Sequence, residues 1–430
     1  MTPDTRVDHL FRRSAGQIVA ALTAVVGPDR LDLAEEVVQD ALVRALEVWR
    51  YRGVPDNPRG WLYRVAVNRA RDLVRRDAVL ADKLARIAPL DSAEAPELDP
   101  FADQELSLIF LCCHPVLSPG ARVALTLKVA GGFSVDEIAA ALLSTPASIA
   151  QRIVRAKRTL RDGDVDLTLP DAASAMDRLD SVLLCLYLIF TEGYSAHGGD
   201  DAVREDLCFE AIRLGELLAR HRPADTPALH ALLALMYLQA SRLSARCHDG
   251  DLVLLEQQDR SRWDPRLVAA GMRHLDLSAR GDALTAWHVE AAIAAQFVAG
   301  TLDWPAILAL YDQLHTLAPS PVVRMNRAVA IGSVHGPNAA LDELLPLADT
   351  PELSGSHLVH ALAGAFLARA GQATAAREAY TAALRRPCNA AERRFIETEL
   401  RRLQAPLDGR TVTGEASIGS STLAAGAERP

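Results

Sequence analysis

At 430 residues the chain is too long for one ordinary core, so two or three domains are expected. Half of it is hydrophobic, alanine and leucine dominate and β-rich runs are scarce, which favours an all-α fold. No run of eighteen apolar residues occurs and the N-terminal MTPDTRVDHLFRR lacks an apolar signal core, so a cytoplasmic protein with no membrane partner is expected. The net charge of −9 looks wrong for a nucleic-acid binder until it is divided. Residues 1–165 hold 22 basic and 22 acidic groups, whereas residues 166–430 hold 24 and 33. That asymmetry separates a binding half from a partner half.

In chain order, residues 8–26 read as a helix closed by Gly27-Pro28. A second runs from about Asp32 to Trp49, with Leu33, Val37, Ala41, Ala45 and Val48 on one stripe and Val38, Leu42, Leu46 and Trp49 beside it. So wide an apolar surface fits contact with another protein, and burial between two neighbouring helices equally well. Asn57 can cap a third helix with Pro58 at its first position. Leu62, Ala66, Ala70 and Leu73 form its inner face, and Arg64, Asn68, Arg71 and Arg75 its basic outer stripe, with Arg69 and Arg76 nearby. Trp61 and Tyr63 interleave with these bases, as suits a single strand whose bases are exposed for stacking; a solvated helix with a core tryptophan is the alternative.

The stretch 78–102, with Pro89, Pro96, Pro100 and a run of acids, reads as a linker. Helix resumes from Asp103 to Val116, taking in Cys112-Cys113-His114 as buried helix rather than a zinc site, and again after Ser118-Pro119. Ser134 and Glu137 form a capping box that opens a short helix with Ile138, Ala139 and Leu142 on its apolar face. After a break at Leu143–Thr145, Thr145 caps a further helix whose inner face is Ile149, Ile153, Ala156 and Leu160. Ser148, Gln151, Arg152, Arg155 and Arg158 fall outside, and Pro146–Arg161 contains five bases and no acid. This is a helix-turn-helix with a basic recognition helix.

The QDALVRALEVW and NPRGWLYRVAVNRARDLVRR stretches, the acidic linker, and LSPGARVALTLKVAGGFSVDEIAAALLSTPASIAQRIVRAKRTLR together resemble a bacterial sigma factor of the extracytoplasmic-function class, sigma-70 family. The likeness covers residues 1–165, and QRIVRAKRTL is its most specific piece. It departs at the turn, where Leu143 stands in place of a common glycine and Ser144 in place of an apolar residue. The resemblance implies sigma region 2 at 1–77, a linker at 78–102 and region 4 at 103–165, with RNA polymerase core and promoter DNA as partners. It implies that Asp40, Leu42, Arg44, Leu46, Glu47 and Trp49 meet core polymerase. Asn57, Arg59, Trp61, Arg64, Asn68, Arg69, Arg71, Arg75 and Arg76 would serve the −10 element. Ser148, Gln151, Arg152 and Arg155 would read the −35 element, with Lys157, Arg158 and Arg161 on phosphates.

LYLIFTEGYSAHGGDDAVREDLCFEAIRLGELLA and the segment 232–264 resemble the long C-terminal extension of one subgroup of these sigma factors. A loose repeat follows. Ile307, Tyr311 and Leu314, then Ala340, Leu344 and Leu347, then Ala376, Tyr380 and Ala383 match second-helix positions of a tetratricopeptide repeat, with Gly364 at a small first-helix position. A TPR-like helical regulatory domain over 166–404, open to an unknown protein or ligand, and a disordered tail over 405–430 are therefore expected.

No phosphate-binding GxxxxGK[ST] loop, HExxH, GxSxG or CxxC occurs, so no cofactor, metal or catalysis is expected. The Gly198–Asp201 run reads as a glycine-rich turn. Arg242 and Arg246 are expected to pair with acids of the Asp259–Asp264 cluster. Two functions stand: a sigma subunit whose extension regulates it in cis, or a stand-alone helix-turn-helix regulator with a TPR-like sensor. The basic third helix and the wide 32–49 helix favour the first.

Overall fold

The computed structural model describes residues 3–74, 102–142, 144–163, 165–195, 203–248 and 251–404. The described residues are almost entirely helical, with one short antiparallel ladder pairing Cys247 with Leu252 and His248 with Asp251. The chain divides into two compact units. One comprises residues 1–140, 144–185 and 220–224; the other comprises 141–143, 186–219 and 225–430.

In the first unit, α1 (Pro3–Val26), α2 (Leu31–Arg52) and α3 (Pro58–Val74) pack together. Ile18, Leu22, Val37, Ala41, Leu62 and Ala66 form the core between them. Gly53 ends α2: its φ of 77° is left-handed backbone that a side chain would strain, and its N–H returns to Trp49 O at 3.0 Å. Asn57 Oδ1 then accepts from Gly60 N at 2.8 Å, the cap expected for α3. The inner face of α3 differs in one place. Leu73 is exposed and Val67 is buried, because the last turn of the helix runs past the core.

α4 (Ala102–Cys112), α5 (Pro119–Val129), α6 (Val135–Ala141) and α7 (Pro146–Asp162) follow. α4 stops short of the expected Val116 because Pro115 disfavours helical backbone at His114. Cys112 and Cys113 are buried, as expected. α1 lies against α4, where Gln17 bridges Arg59 (3.1 Å) and buried Glu105 (3.5 Å). A Cβ on Gly16 would stand 2.9 Å from the Ala130 carbonyl oxygen, so this contact admits no side chain. The first part of α8 (Ala172–Tyr194) buries Leu179, Val182 and Leu183.

In the second unit α10 (Pro227–Ala240) is apolar on every side and buried, the pattern of a central helix; α9 (Glu205–Ala219), α12 (Pro265–Ser278) and α13 (Ala286–Val298) surround it. The short α11 (Leu243–Arg246) and the ladder come between α10 and α12. Helices then succeed one another, each packed on the next: α14 (Trp304–Leu317), α15 (Pro321–Val334), α16 (Pro337–Leu344), α17 (His357–Arg369), α18 (Ala373–Leu384) and α19 (Ala390–Gln404). All nine apolar positions expected of the repeat are buried, although Leu347 sits in a 3₁₀ turn. A Cβ on Gly364 would meet the Tyr380 ring at 2.9 Å, and one on Gly332 would run into the Phe366 ring.

Candidate nucleic-acid interface and polymerase-facing helix

The helix-turn-helix is built by two local caps. Ser134 N donates to Glu137 Oε2 at 2.7 Å while Glu137 N donates to Ser134 Oγ at 3.2 Å, a reciprocal pair that starts α6. Thr145 Oγ1 accepts from Ser148 N at 3.3 Å and starts α7. Ile149, Ile153, Ala156 and Leu160 anchor α7 in the core. That anchoring turns Ser148, Gln151, Arg155, Arg158 and Arg161 to solvent, so a surface of hydrogen-bonding and positive groups faces outward. Leu143 in the turn lies outside the described residues.

The other two bases are drawn inward. Arg152 is half-buried and leans on α5, its Nη1 2.9 Å from where a Gly120 Cβ would be. Lys157 is only 17 % exposed and turns to α2, pairing with Asp32 at 2.8 Å and with Glu35. In this arrangement it does not offer its charge to a phosphate. A sequence pattern shows which face a lysine occupies but not a partner on a distant helix.

On α3, Arg64, Asn68 and Arg69 are exposed and Arg71 is half-buried. Arg69 Nε donates to Asp40 Oδ2 at 2.7 Å; that hydrogen bond, then the carboxylate's charge, raises the guanidinium above its ordinary value. Asn57 is exposed, Arg59 is half-buried, and Arg75 and Arg76 lie outside the described residues. Trp61 is half-buried, its ring edge-on to Trp49 at 5.4 Å. Burial pushes the Tyr63 phenol up, against a weaker opposing effect of Arg71. Tyr51, 83 % exposed at the end of α2, is the open aromatic here. It was missed because it lies outside the basic stripe.

α2 corrects one expectation. Trp49 is 7 % exposed and packs on Trp61, so it belongs to the core and not to a partner surface. The exposed apolar residues are Val43 (57 %) and Leu46 (58 %), with Leu42 half-buried between the faces. Asp40, Arg44 and Glu47 are exposed around them, and Arg44 pairs with Glu47 at 2.8 Å. Val43 was missed because it falls on neither stripe of the helical period.

The models of sigma-70 region 2 and sigma-70 region 4 match residues 10–79 and 107–160, and that of a family of unknown function (DUF6596) matches residues 178–279. The chain is 31 % identical over 141 residues to the ECF RNA polymerase sigma-E factor of Escherichia coli K12, covering 29 % of this chain and 70 % of that protein. The chain belongs to the extracytoplasmic-function sigma factors. A second such sigma factor, SigE of Mycolicibacterium smegmatis, is 30 % identical over 161 residues, 36 % of this chain and 60 % of its own. An uncharacterized protein of Rhizobium meliloti is 40 % identical over 389 residues, 87 % of this chain and 91 % of that protein, so the likeness runs through the extension as well. No solved structure matches.

As a sigma factor the chain is a subunit that brings RNA polymerase core to promoter DNA. Region 2 then comprises α1–α3, and region 4 comprises α4–α7. Among the described residues no helix is long and apolar enough to cross a membrane, and no group of three or more His, Cys, Asp or Glu could hold a metal ion.

Proposed function

We propose that this sigma factor reads the −35 element through α7, with Ser148, Gln151 and Arg155 on base edges and Arg158 and Arg161 on phosphates. The observation that carries this reading is the outward polar-basic face of α7 behind its buried Ile149–Leu160 spine. α3 takes the opened −10 strand through Asn68, Arg64 and Arg71, with Trp61 beside them. α2 docks on core polymerase through Val43, Leu46 and the charges around them, an apolar centre with a polar rim. The protein acts by binding, in the cytoplasm, and catalyses nothing itself.

The residues after region 4 regulate it from the same chain, as a TPR-like stack of hairpins able to hold a protein segment. Run-off transcription with purified core polymerase tests the reading. Full-length protein is expected to give promoter-dependent transcripts that are lost in an Arg155→Ala, Gln151→Ala variant. Specific duplex binding without any transcript would instead favour a stand-alone regulator.

A further inference from the structure

Arg242 joins α10 to α11 and is 1 % exposed. Of its nitrogens only Nη2 has a partner, donating to Tyr194 Oη at 2.8 Å; Nε and Nη1 are buried and have none. Among the described residues no carboxylate pairs with it. Asp259 instead accepts from Ser261 N and Oγ, and Asp264 accepts from Arg266 N. Both acids spend themselves on local caps, so the pairing expected for Arg242 does not form.

The surroundings add positive charge. Arg246 is also buried and lies over the Tyr194 ring at 3.7 Å, and Arg260 lies over the Trp263 ring at 4.9 Å. The Arg242 guanidinium is 5.9 Å from the Trp263 ring centre and 5.8 Å from that of Phe297. Trp263 Nε1 is a further buried donor without an acceptor. Burial, and then the like charges of Arg246 and Arg260, lower the Arg242 pKa, against the Tyr194 oxygen. A guanidinium does not escape this cost by losing its proton. Ring faces attract the cation but satisfy no N–H.

Unmet donors on a buried cation and a buried indole call for an acceptor-only ligand. We propose that the C-terminal unit binds a small oxyanion against Arg242 Nε and Nη1 and Trp263 Nε1. The oxyanion is free phosphate, or the carboxylate or phosphate group of a small metabolite. Depth restricts the site to a small ligand and keeps out the phosphates of promoter DNA. The site stands whether or not the extension regulates transcription.

The test uses the full chain dialysed into oxyanion-free buffer. Thermal unfolding is followed while inorganic phosphate, acetate or chloride is added at matched ionic strength, and native mass spectrometry reads any anion carried through purification. A saturable rise in Tm with phosphate or acetate but not chloride is expected, and which of the two acts at lower concentration gives the ligand group. Arg242→Gln should abolish the rise, and Arg266→Gln on the exposed start of α12 should keep it. Trp263→Phe retains the ring, serves if Arg242→Gln does not fold, and should weaken the midpoint about tenfold. The proposal is overturned by equal shifts for all three salts, or by an unchanged midpoint in Trp263→Phe. The absence of any saturable shift together with no retained mass overturns it as well.

Discussion

Lys157 Nζ stands 2.8 Å from Asp32 Oδ1 and also pairs with Glu35, so a base on the DNA-reading helix is held by two acids on α2. Burial opposes the charge of Lys157, but Glu35 and Asp32 outweigh it and raise the ammonium pKa. A raised lysine gives its stability below its ordinary value and loses it only above, so the contact is complete at neutral pH. Region 4 is thereby tied to region 2 within one compact unit. Opening this contact returns a positive charge to the DNA-binding face. An Asp32→Asn, Glu35→Gln variant should bind a −35 duplex about fivefold tighter, since such pairs are worth about 1 kcal/mol. Fluorescence anisotropy at fixed salt checks it, and unchanged affinity would show that the pair restrains nothing.

The two sides of α2 should separate binding from stability. Val43→Glu or Leu46→Glu is expected to weaken association with core polymerase while leaving the helical circular dichroism and Tm nearly intact. Trp49→Ala should do the reverse at first, costing about 3–5 kcal/mol through the lost packing on Trp61. Core-binding assays paired with thermal melts distinguish the outcomes. A Val43→Glu protein with wild-type core affinity would remove this surface from the assignment.

On α7 the solvent-facing Arg155 and Arg158 should behave differently. Arg155→Ala is expected to cost about 1–3 kcal/mol and to relax preference at one promoter position. Arg158→Ala should weaken all sequences alike. Selection from a randomised −35 library reads both, and identical sequence-independent losses would refute base reading by Arg155.

What could be read from the sequence was what neighbours in the chain decide. The Ser134–Glu137 capping box, the Thr145 and Asn57 caps and the buried spine of α7 are all settled within a few residues, and each formed as the pattern implied. The burial of Ile307, Tyr311 and Leu314 was legible too, since their spacing lines one face of a helix. Tertiary choices were not legible. A helical stripe cannot say whether Trp49 meets Trp61 or a partner. Nothing near Lys157 in sequence announces Asp32. Asp259 and Asp264 looked like partners for Arg242 until their oxygens proved to be used by the adjacent backbone.

Acid should weaken the C-terminal unit through a pair of histidines. His230 on α10 and His274 on α12 face each other at 2.9 Å through their Nδ1 atoms. Asp225 lies 2.9 Å from His230 Nε2, and Glu216 lies 3.0 Å from His274 Nε2 while accepting from Tyr237 at 2.8 Å. Arg273 adds a positive charge that acts on Tyr237. Burial, and then His274, push the His230 pKa down, and Asp225 and Glu216 only partly offset this. The folded state therefore binds fewer protons than the unfolded chain below the ordinary histidine value of about 6.5, so stability is lost as pH falls through that range. Tm should drop between about pH 7.5 and pH 5.5, and drop less in His230→Gln. An equal drop in both proteins would rule the pair out as its source.

Cutting the chain after Asp164 should damage region 4 rather than simply release it. α8 is part of the same compact unit up to Cys185. Its Arg178 donates to the Phe110 carbonyl at 3.1 Å, and Arg122 of α5 donates to Ser181 at 3.3 Å. Leu179, Val182 and Leu183 are buried there, and losing three such side chains forfeits about 5 kcal/mol, comparable to the stability of a whole domain. A fragment ending at Asp164 is therefore expected to melt well below full-length protein and to bind a hydrophobic dye. Its transcription would be lost for want of a folded region 4, whatever the extension does to an intact one. A fragment ending at Cys185 keeps these contacts and should recover much of the lost Tm, so it is the proper background for asking whether the extension activates or restrains. Equal melting of the two fragments would show that α8 contributes nothing to region 4.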